Sequence, residues 1–560
     1  MFNFSLVPYG RGERLVLLAL LLGGARPGPA QQQPVDSVVS AARPSPDSLA
    51  RARPPAAGFR PDTLLPAAAT HLGQVLLLEF ARQPVLLAGL PLARYAVSEA
   101  GYGREQGEFR RAQDPTRAQV ARLHTEGLRD WKGWRLLGRF QFERQWHDSI
   151  RWSLAPGVAP ARPYYVAAPR PGNWDNSVYR LGAAGVRGWL KGRLLTGLHL
   201  DFDAGNYART NDPRPEVVGY QLRTGASVGY QLRADWLLAL GYTYGRHTED
   251  GRTRFGSDAN QQGADTPFTQ FDVLGYGFLL ESRNGFFGVR GQQHTGLLSV
   301  RYAAGPGTYL LTATGGHQQE NFVKSVANSL TVTNGELAEL IGSYSLTTAQ
   351  LHAARFHQIA PGRQRYQRLH LDWAQGQDRN NTFGLGNNYL YARQQARLEA
   401  GALRHHPAGH LTELGGSLTY RAERRADGTA AHRRQTRRAG LSLSARHYQP
   451  LPGGTWRGIL GGQVGAEADA GSSLAVPAPQ QNRFSRNVVF PDYAYDRQHT
   501  AWGGLALGLE RPVTSTGRVR LLAEGRYLAP LTQRADAGYP TGSAPHGSRW
   551  EARLSLQVFH

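Results

Sequence analysis

"SRWEARLSLQVFH" (residues 548–560) closes the chain, and its alternation decides the fold. Trp550, Ala552, Leu554, Leu556 and Val558 fall on one side; Arg549, Glu551, Arg553, Ser555 and Gln557 fall on the other. Only a β-strand sends successive side chains to opposite faces. One greasy and one charged face run to the end of the chain, so the greasy face needs an apolar partner.

The same pattern recurs upstream. In "WRLLGRFQFERQW" Leu136, Gly138, Phe140 and Phe142 alternate with Arg139, Gln141 and Glu143, and in "GRLLTGLHLDFDAG" Leu198, Leu200 and Phe202 alternate with His199, Asp201 and Asp203. "DWLLALGYTYG" gathers Trp236, Leu238, Leu240, Tyr242 and Tyr244. "TELGGSLTYRAE" sets Leu414, Leu418 and Tyr420 against Glu413 and Arg421, and "GRVRLLAEGRYL" sets Leu521, Ala523 and Tyr527 against Glu524 and Arg526. A soluble sandwich or propeller would bury such faces in a core. These segments, however, run to about 10–15 residues against a usual strand of about 5–6, and aromatics such as Trp236 and Tyr244 sit near their ends like membrane girdles.

Spacing settles the class. Strands can be laid at 92–101, 116–127, 134–149, 178–189, 192–205, 217–230, 234–248, 292–303 and 307–320, and again at 341–356, 364–378, 387–402, 410–424, 435–448, 455–469, 496–511, 516–529 and 549–560. Connections alternate short and long, as in outer-membrane barrels, which take an even strand number; about eighteen, within 14–20, is expected. The expected fold is an all-β, antiparallel up-and-down transmembrane barrel over residues 92–560, its greasy face on lipid. Unpaired edges cost several kcal/mol per group in hydrocarbon, so the last strand must pair with the first. Arg139, Glu143, His199, Asp201, Glu413, Arg421, Glu524 and Arg526 are expected to line the lumen.

The first residues read as an address. Arg11 and Arg14 precede "LVLLALLL", and Gly28 and Ala30 offer a cleavage site, so residues 1–30 are a secretory signal peptide. Residues 31–61, rich in Pro, Ala and Arg, read as a flexible linker, and residues 62–91 as a segment that plugs the lumen or forms a hatch. Both termini are expected in the periplasm, with the long segments 149–174, 250–291 and 471–494 outside.

The chain carries no Cys, which excludes a disulfide framework and thiol catalysis. Its net charge of +22 comes from scattered Arg, with Lys only at Lys132, Lys191 and Lys324, so nucleic acid is not an expected partner.

Three segments, "YYVAAPRPGNWDNSVYRLGAA" (164–184), "NDPRPEVVGYQLRTGASVGYQL" (211–232) and "TEGLRDWKGWRLLGRFQFE" (125–143), resemble a Bacteroidetes-type outer-membrane β-barrel family of unknown function. The resemblance covers most of the chain after about residue 75 and implies fold and location but no substrate. The C-terminus also resembles the barrel-assembly signal, carried here by Trp550, Leu554, Leu556, Val558 and Phe559, although His560 follows the aromatic. "ARQPVLLAG" resembles the Asn-Pro-Ala hatch element of fatty-acid transporter barrels, with Gln83 in place of Asn and Val85 in place of Ala; an ordinary X-Pro turn ahead of a strand is the favoured reading.

Catalytic patterns are weak. "GASVG" (225–229) matches G-x-S-x-G, but Ser227 sits in an alternating strand where a nucleophile elbow needs a strand-to-helix turn. "HHPAGH" supplies His405, His406 and His410 without a further fixed ligand, and "DRNNTFGLGNN" has Phe383 where a calcium loop needs Gly. No cofactor, metal or catalytic residue is expected. The expected function is a conduit or binding barrel for polar or anionic solutes. Alternatives are an outer-membrane enzyme, a surface-assembly or secretion component acting through its loops, and a hatch-gated transporter of hydrophobic compounds. Expected partners are outer-membrane lipid, lipopolysaccharide and the barrel-assembly machinery.

Overall fold

The computed structural model describes residues 70–92, 94–155, 161–257, 260, 267–282, 286–325, 332–333, 336–382, 386–514, 517–532 and 545–560. The signal peptide, the linker, residues 62–69, Gln261 and Phe383 lie outside the described residues.

Alternation becomes eighteen long strands. They are β1 Tyr95–Gly107, β2 Arg117–Trp131, β3 Trp134–Ile150, β4 Gly172–Trp189, β5 Leu194–Arg209 and β6 Arg214–Arg233. Next come β7 Trp236–Arg254, β8 Phe286–Ala304, β9 Gly307–Ser325, β10 Glu336–Ala360, β11 Arg363–Asn380 and β12 Tyr389–His405. The wall ends with β13 Leu411–Asp427, β14 His432–Pro450, β15 Arg457–Asp469, β16 Thr500–Pro512, β17 Arg518–Pro530 and β18 Arg549–Phe559. Each is antiparallel to the next, and two short pieces, Val332–Thr333 and Ser473–Ala475, extend the sheet at its rim.

The ring closes. β18 pairs with β17 on one side and with β1 on the other, from Val97 opposite Phe559 to Gly107 opposite Arg549. No sheet edge is left for lipid to desolvate. Among the described residues no helix is long and apolar enough to cross a membrane; the strands cross instead.

Outward side chains are apolar and bare, as on Leu505 (67% exposed) and Leu240 (61%). Trp236, Tyr302 and Tyr309 stack outside at the short-turn end, with ring centroids 4.6 Å and 5.9 Å apart. Tyr244 lies 5.4 Å from His294 toward the other end. Such aromatic belts mark the two membrane interfaces.

Boundaries differ from the sequence reading at both ends of strands. The first strand runs from Tyr95 to Gly107 rather than 92–101, and β7 and β8 continue to Arg254 and back to Phe286, shortening the connection expected over 250–291. In β7 the ladder continues into the polar run 248–254, where alternation fades before the hydrogen bonds do, and in β8 Phe287 and Val289 turn inward under the small sheet.

Inward glycines let rings lie flat on the wall. A Cβ at Gly376 would stand 1.7 Å from the Tyr344 hydroxyl oxygen, and one at Gly401 would stand 2.3 Å from a Tyr366 ring carbon. Bulk on the inner face is thus carried by aromatics laid across neighbouring strands.

Candidate functional site

The eight residues expected in the lumen lie on inward strand positions, most of them engaged with neighbours. Arg139 meets Asp201 at 2.5 Å, Arg421 meets Glu423 at 2.7 Å, and Arg446 meets Glu524 at 3.0 Å. Glu143 takes Arg122 at 2.8 Å and Arg180 at 3.4 Å. His199 lies 3.2 Å from the Thr243 hydroxyl, and the Arg526 guanidinium stacks 4.4 Å from the Trp502 ring centroid. The pairs of Glu143 with Arg122 and Arg180 join neighbouring strands and hold the sheet in register. The surrounding space is roomy, for the Arg139 side chain remains 52% exposed.

At the short-turn end the chain before β1 lies within the ring. Helix α1, His71–Phe80, starts where the Thr70 hydroxyl accepts the Gly73 N–H at 3.1 Å. Leu72, Val75, Leu76 and Phe80 pack with inward-facing Leu137, Leu237, Phe356, Leu403, Tyr448 and Leu522, drawn from strands around the circumference. A 3₁₀ turn, Pro84–Gly89, follows.

Charges fasten this segment to the wall. Glu79 receives Arg82 at 2.7 Å and Arg368 at 3.2 Å, and Arg368 reaches Glu399 at 2.6 Å. The His71 N–H donates to Glu413 at 2.8 Å, Tyr448 donates to the same carboxylate at 3.0 Å, and Arg135 donates to the Leu92 carbonyl. Breaking such a buried network on one side strands a charge, at about 3–5 kcal/mol.

Gln83–Pro84–Val85 presses on a patch of small residues. A Cβ at Gly197 would stand 2.7 Å from the Pro84 Cβ, and one at Gly241 would stand 2.9 Å from the Gln83 Nε2. Gln83 is fully buried, and neither of its amide atoms meets a hydrogen-bond partner. An orphaned buried amide costs about 1–3 kcal/mol. Gln83→Leu is therefore expected to stabilise the seated segment by about 1 kcal/mol or more, read as slower amide exchange over residues 71–89. Faster exchange would refute this.

Long connections fold into the other mouth. Strands Tyr164–Ala167, Gln270–Leu274 and Leu279–Ser282 form a separate small sheet. Val273 and Tyr276 pack with Tyr344, Tyr389 and Tyr391 of β10 and β12, whereas Leu274 packs with Val217, Phe287 and Phe322 of β6, β8 and β9. One hairpin thus lies along the wall from β6 to β12. Its turn is pinned by Asp427, which accepts the Tyr276 N–H at 2.7 Å and the Phe278 N–H at 3.1 Å. A side chain at Gly277, φ +143°, would stand 2.0 Å from His432 Nδ1. Lys324 grips Asp272 at 2.7 Å, and Tyr164 donates to Asp378 at 2.6 Å. A second helix, Phe490–Arg497, is tied in through Asp496 to Arg111 at 2.6 Å and to Arg434.

This inward folding was missed in the sequence, although the apolar stretches "YYVAA" and "DVLGYGFLL" within long connections were its available signal. Ser227 lies buried within β6, and His405, His406 and His410 lie at the short turn joining β12 and β13.

Beside the small sheet a cavity of about 460 Å³ opens against β4–β10, under Arg162. Arg162 takes Glu249 at 2.8 Å and Glu320 at 3.4 Å, and His247 lies 3.0 Å from Glu320. Burial disfavours the Arg162 charge, but the two carboxylates outweigh it and raise its pKa. Arg180 and Arg223 share Asp203 at 3.9 Å and 3.2 Å.

Trp550, Leu554 and Leu556 face outward and Val558 is half-buried, but Phe559 turns inward and is buried under the Arg520 guanidinium, 5.0 Å from its centroid.

The profile of a family described as "Family of unknown function (DUF6850)" matches residues 84–560. No curated protein matches the chain. Among solved structures, a Pseudomonas aeruginosa FadL homologue shares 9% identity over 90% of this chain and 99% of its own, with a TM-score of 0.36. The siderophore receptor PiuA from Acinetobacter baumannii shares 8% identity over 83% and 82%, with a TM-score of 0.35. The copper transporter OprC shares 10% identity over 83% and 80%, with a TM-score of 0.37. Likeness at this level implies no shared substrate.

Proposed function

From the premise that the chain belongs to the family of unknown function DUF6850, we propose that it is a gated, non-enzymatic outer-membrane conduit for a polar solute. One observation carries this reading: a closed ring with a bare apolar outside holds a roomy, charge-paired interior that its own chain occupies at both ends. An open porin needs no such fittings, and a purely structural barrel needs no roomy interior. Solute passage then requires both fittings to move, so the protein is a conduit whose resting state is closed.

The N-terminal segment acts as the inner plug. Short turns and both termini face the periplasm, the long connections face outward, and residues 1–30 are removed on export. Assembly machinery reads the last strand through Trp550, Leu554, Leu556, Val558 and Phe559, and lipid with lipopolysaccharide surrounds the wall. An anion preference loses ground, because Arg139 and Arg421 are each paired with a carboxylate. The hatch-gated route for hydrophobic compounds is disfavoured by the charged ladders between the two fittings.

Fractionation should place the protein in the outer membrane, with faster gel mobility before boiling than after. A tag at Gln480 should be reached on whole cells. Full-length protein in a planar bilayer should be silent at rest. A soluble product, a tag reached only after permeabilisation, or a constitutively open pore would each overturn the corresponding part.

A further inference from the structure

We propose that the cavity under Arg162 binds a neutral, hydroxyl-rich solute of sugar size; this names the solute class and rests on the conduit reading above. At about 460 Å³ the cavity falls within the range of small-molecule sites, about 300–1,000 Å³.

Charge bookkeeping excludes the ionic alternatives. Three guanidiniums, Arg162 and Arg180 in the lining and Arg223 beside it, match three lining carboxylates, Asp203, Glu249 and Glu320. Each carboxylate is already held: Glu249 by Arg162, Glu320 by Arg162 and Gln318, and Asp203 by Arg180 and Arg223. An anion entering would find every guanidinium already paired, and a cation would find every carboxylate already held. Either would lose its hydration without a free counter-charge to replace it.

Neutral groups remain available. The Tyr207 hydroxyl and the Gln221 carboxamide both line the cavity, and neither makes a hydrogen bond among the described residues. Tyr344 adds its ring to the lining, its hydroxyl lying against Gly376 of β11. Phenols and amides donate and accept, which matches a ligand hydroxyl that does both. Tyr207 supplies a surface as well. A Cβ at Gly205 would stand 2.4 Å from its ring, so the ring lies flat along the wall and offers a face to the C–H side of a sugar.

The test uses the full-length barrel in a detergent without a sugar headgroup, titrated calorimetrically with glucose, galactose, mannitol, maltose, lactose and sucrose, and separately with phosphate, citrate and spermidine. At least one neutral compound should bind, and Tyr207→Ala and Gln221→Ala should each weaken it at least tenfold while heat-modifiable mobility stays that of the parent. The proposal falls if none of the six binds, if only the ions bind, or if both variants bind as the parent does. Failure of the conduit reading is separable. A barrel that conducts once its closures are removed but binds no sugar loses only this site; one that binds sugar yet never conducts keeps the site and loses the conduit.

Discussion

Removing residues 31–91 together with the hairpin 268–281 is expected to turn a silent barrel into a stably conducting one, whereas either removal alone should give only a small fraction of that conductance. On the proposed function, the two inward-folded segments obstruct the lumen in series. α1 and the turn after it pack against the inner wall at the short-turn end, through Leu76, Phe80 and the Glu79–Arg368 pair. The hairpin reaches over the other mouth from β6, where Leu274 packs with Val217, to the β13–β14 turn, where Asp427 and His432 hold Tyr276. Groups coupled in series are strongly non-additive, so a four-way comparison reads the coupling directly. Single-channel recordings decide the matter. Full conductance after the N-terminal deletion alone would show that the hairpin does not close the mouth. Silence of the double deletion would end the conduit reading. The open form should show a reversal potential close to zero in a salt gradient, because Arg139, Arg421 and Arg446 each pair with a carboxylate.

Leu505→Arg is expected to cost about 2–4 kcal/mol, the price of a charge on the lipid face near the membrane midplane. Leu505 is the most exposed outward leucine of β16 and lies opposite Gly462 and Gly525, in the middle of the ladder. Gln463→Arg, one residue further along β15 and facing the lumen, should cost almost nothing, since water and carboxylates await it. Urea titrations of refolding into lipid vesicles, followed by heat-modifiable mobility, measure both. Equal costs for the two variants would mean that the outward face is not in lipid.

The two predictions draw on different kinds of information. Leu505 was placeable from period-two alternation alone, because a side chain's face depends only on its parity within the strand. The same rule put Arg139, Glu143, His199, Asp201, Glu413, Arg421, Glu524 and Arg526 on the inner face. The eighteen strands followed from the short and long spacing, since a membrane barrel repeats one local pattern and every crossing must carry it.

What parity cannot supply is who meets whom across the lumen. That Arg139 is spent on Asp201, that Arg368 joins Glu79 to Glu399 and that Asp427 holds the backbone of Tyr276 are contacts between residues far apart in the chain. None leaves a local period. The strand ends past the lipid band were illegible for a related reason: with polar surroundings on both faces, β7 beyond residue 248 keeps its hydrogen bonds but loses its pattern. Strand number, wall orientation and closure were therefore written in the sequence by the demand that lipid makes on every crossing. The seats of the two inward-folded segments and the lining of the cavity were decided only by tertiary structure, because a water-facing lumen accepts many side chains and only the closed ring determines which of them touch.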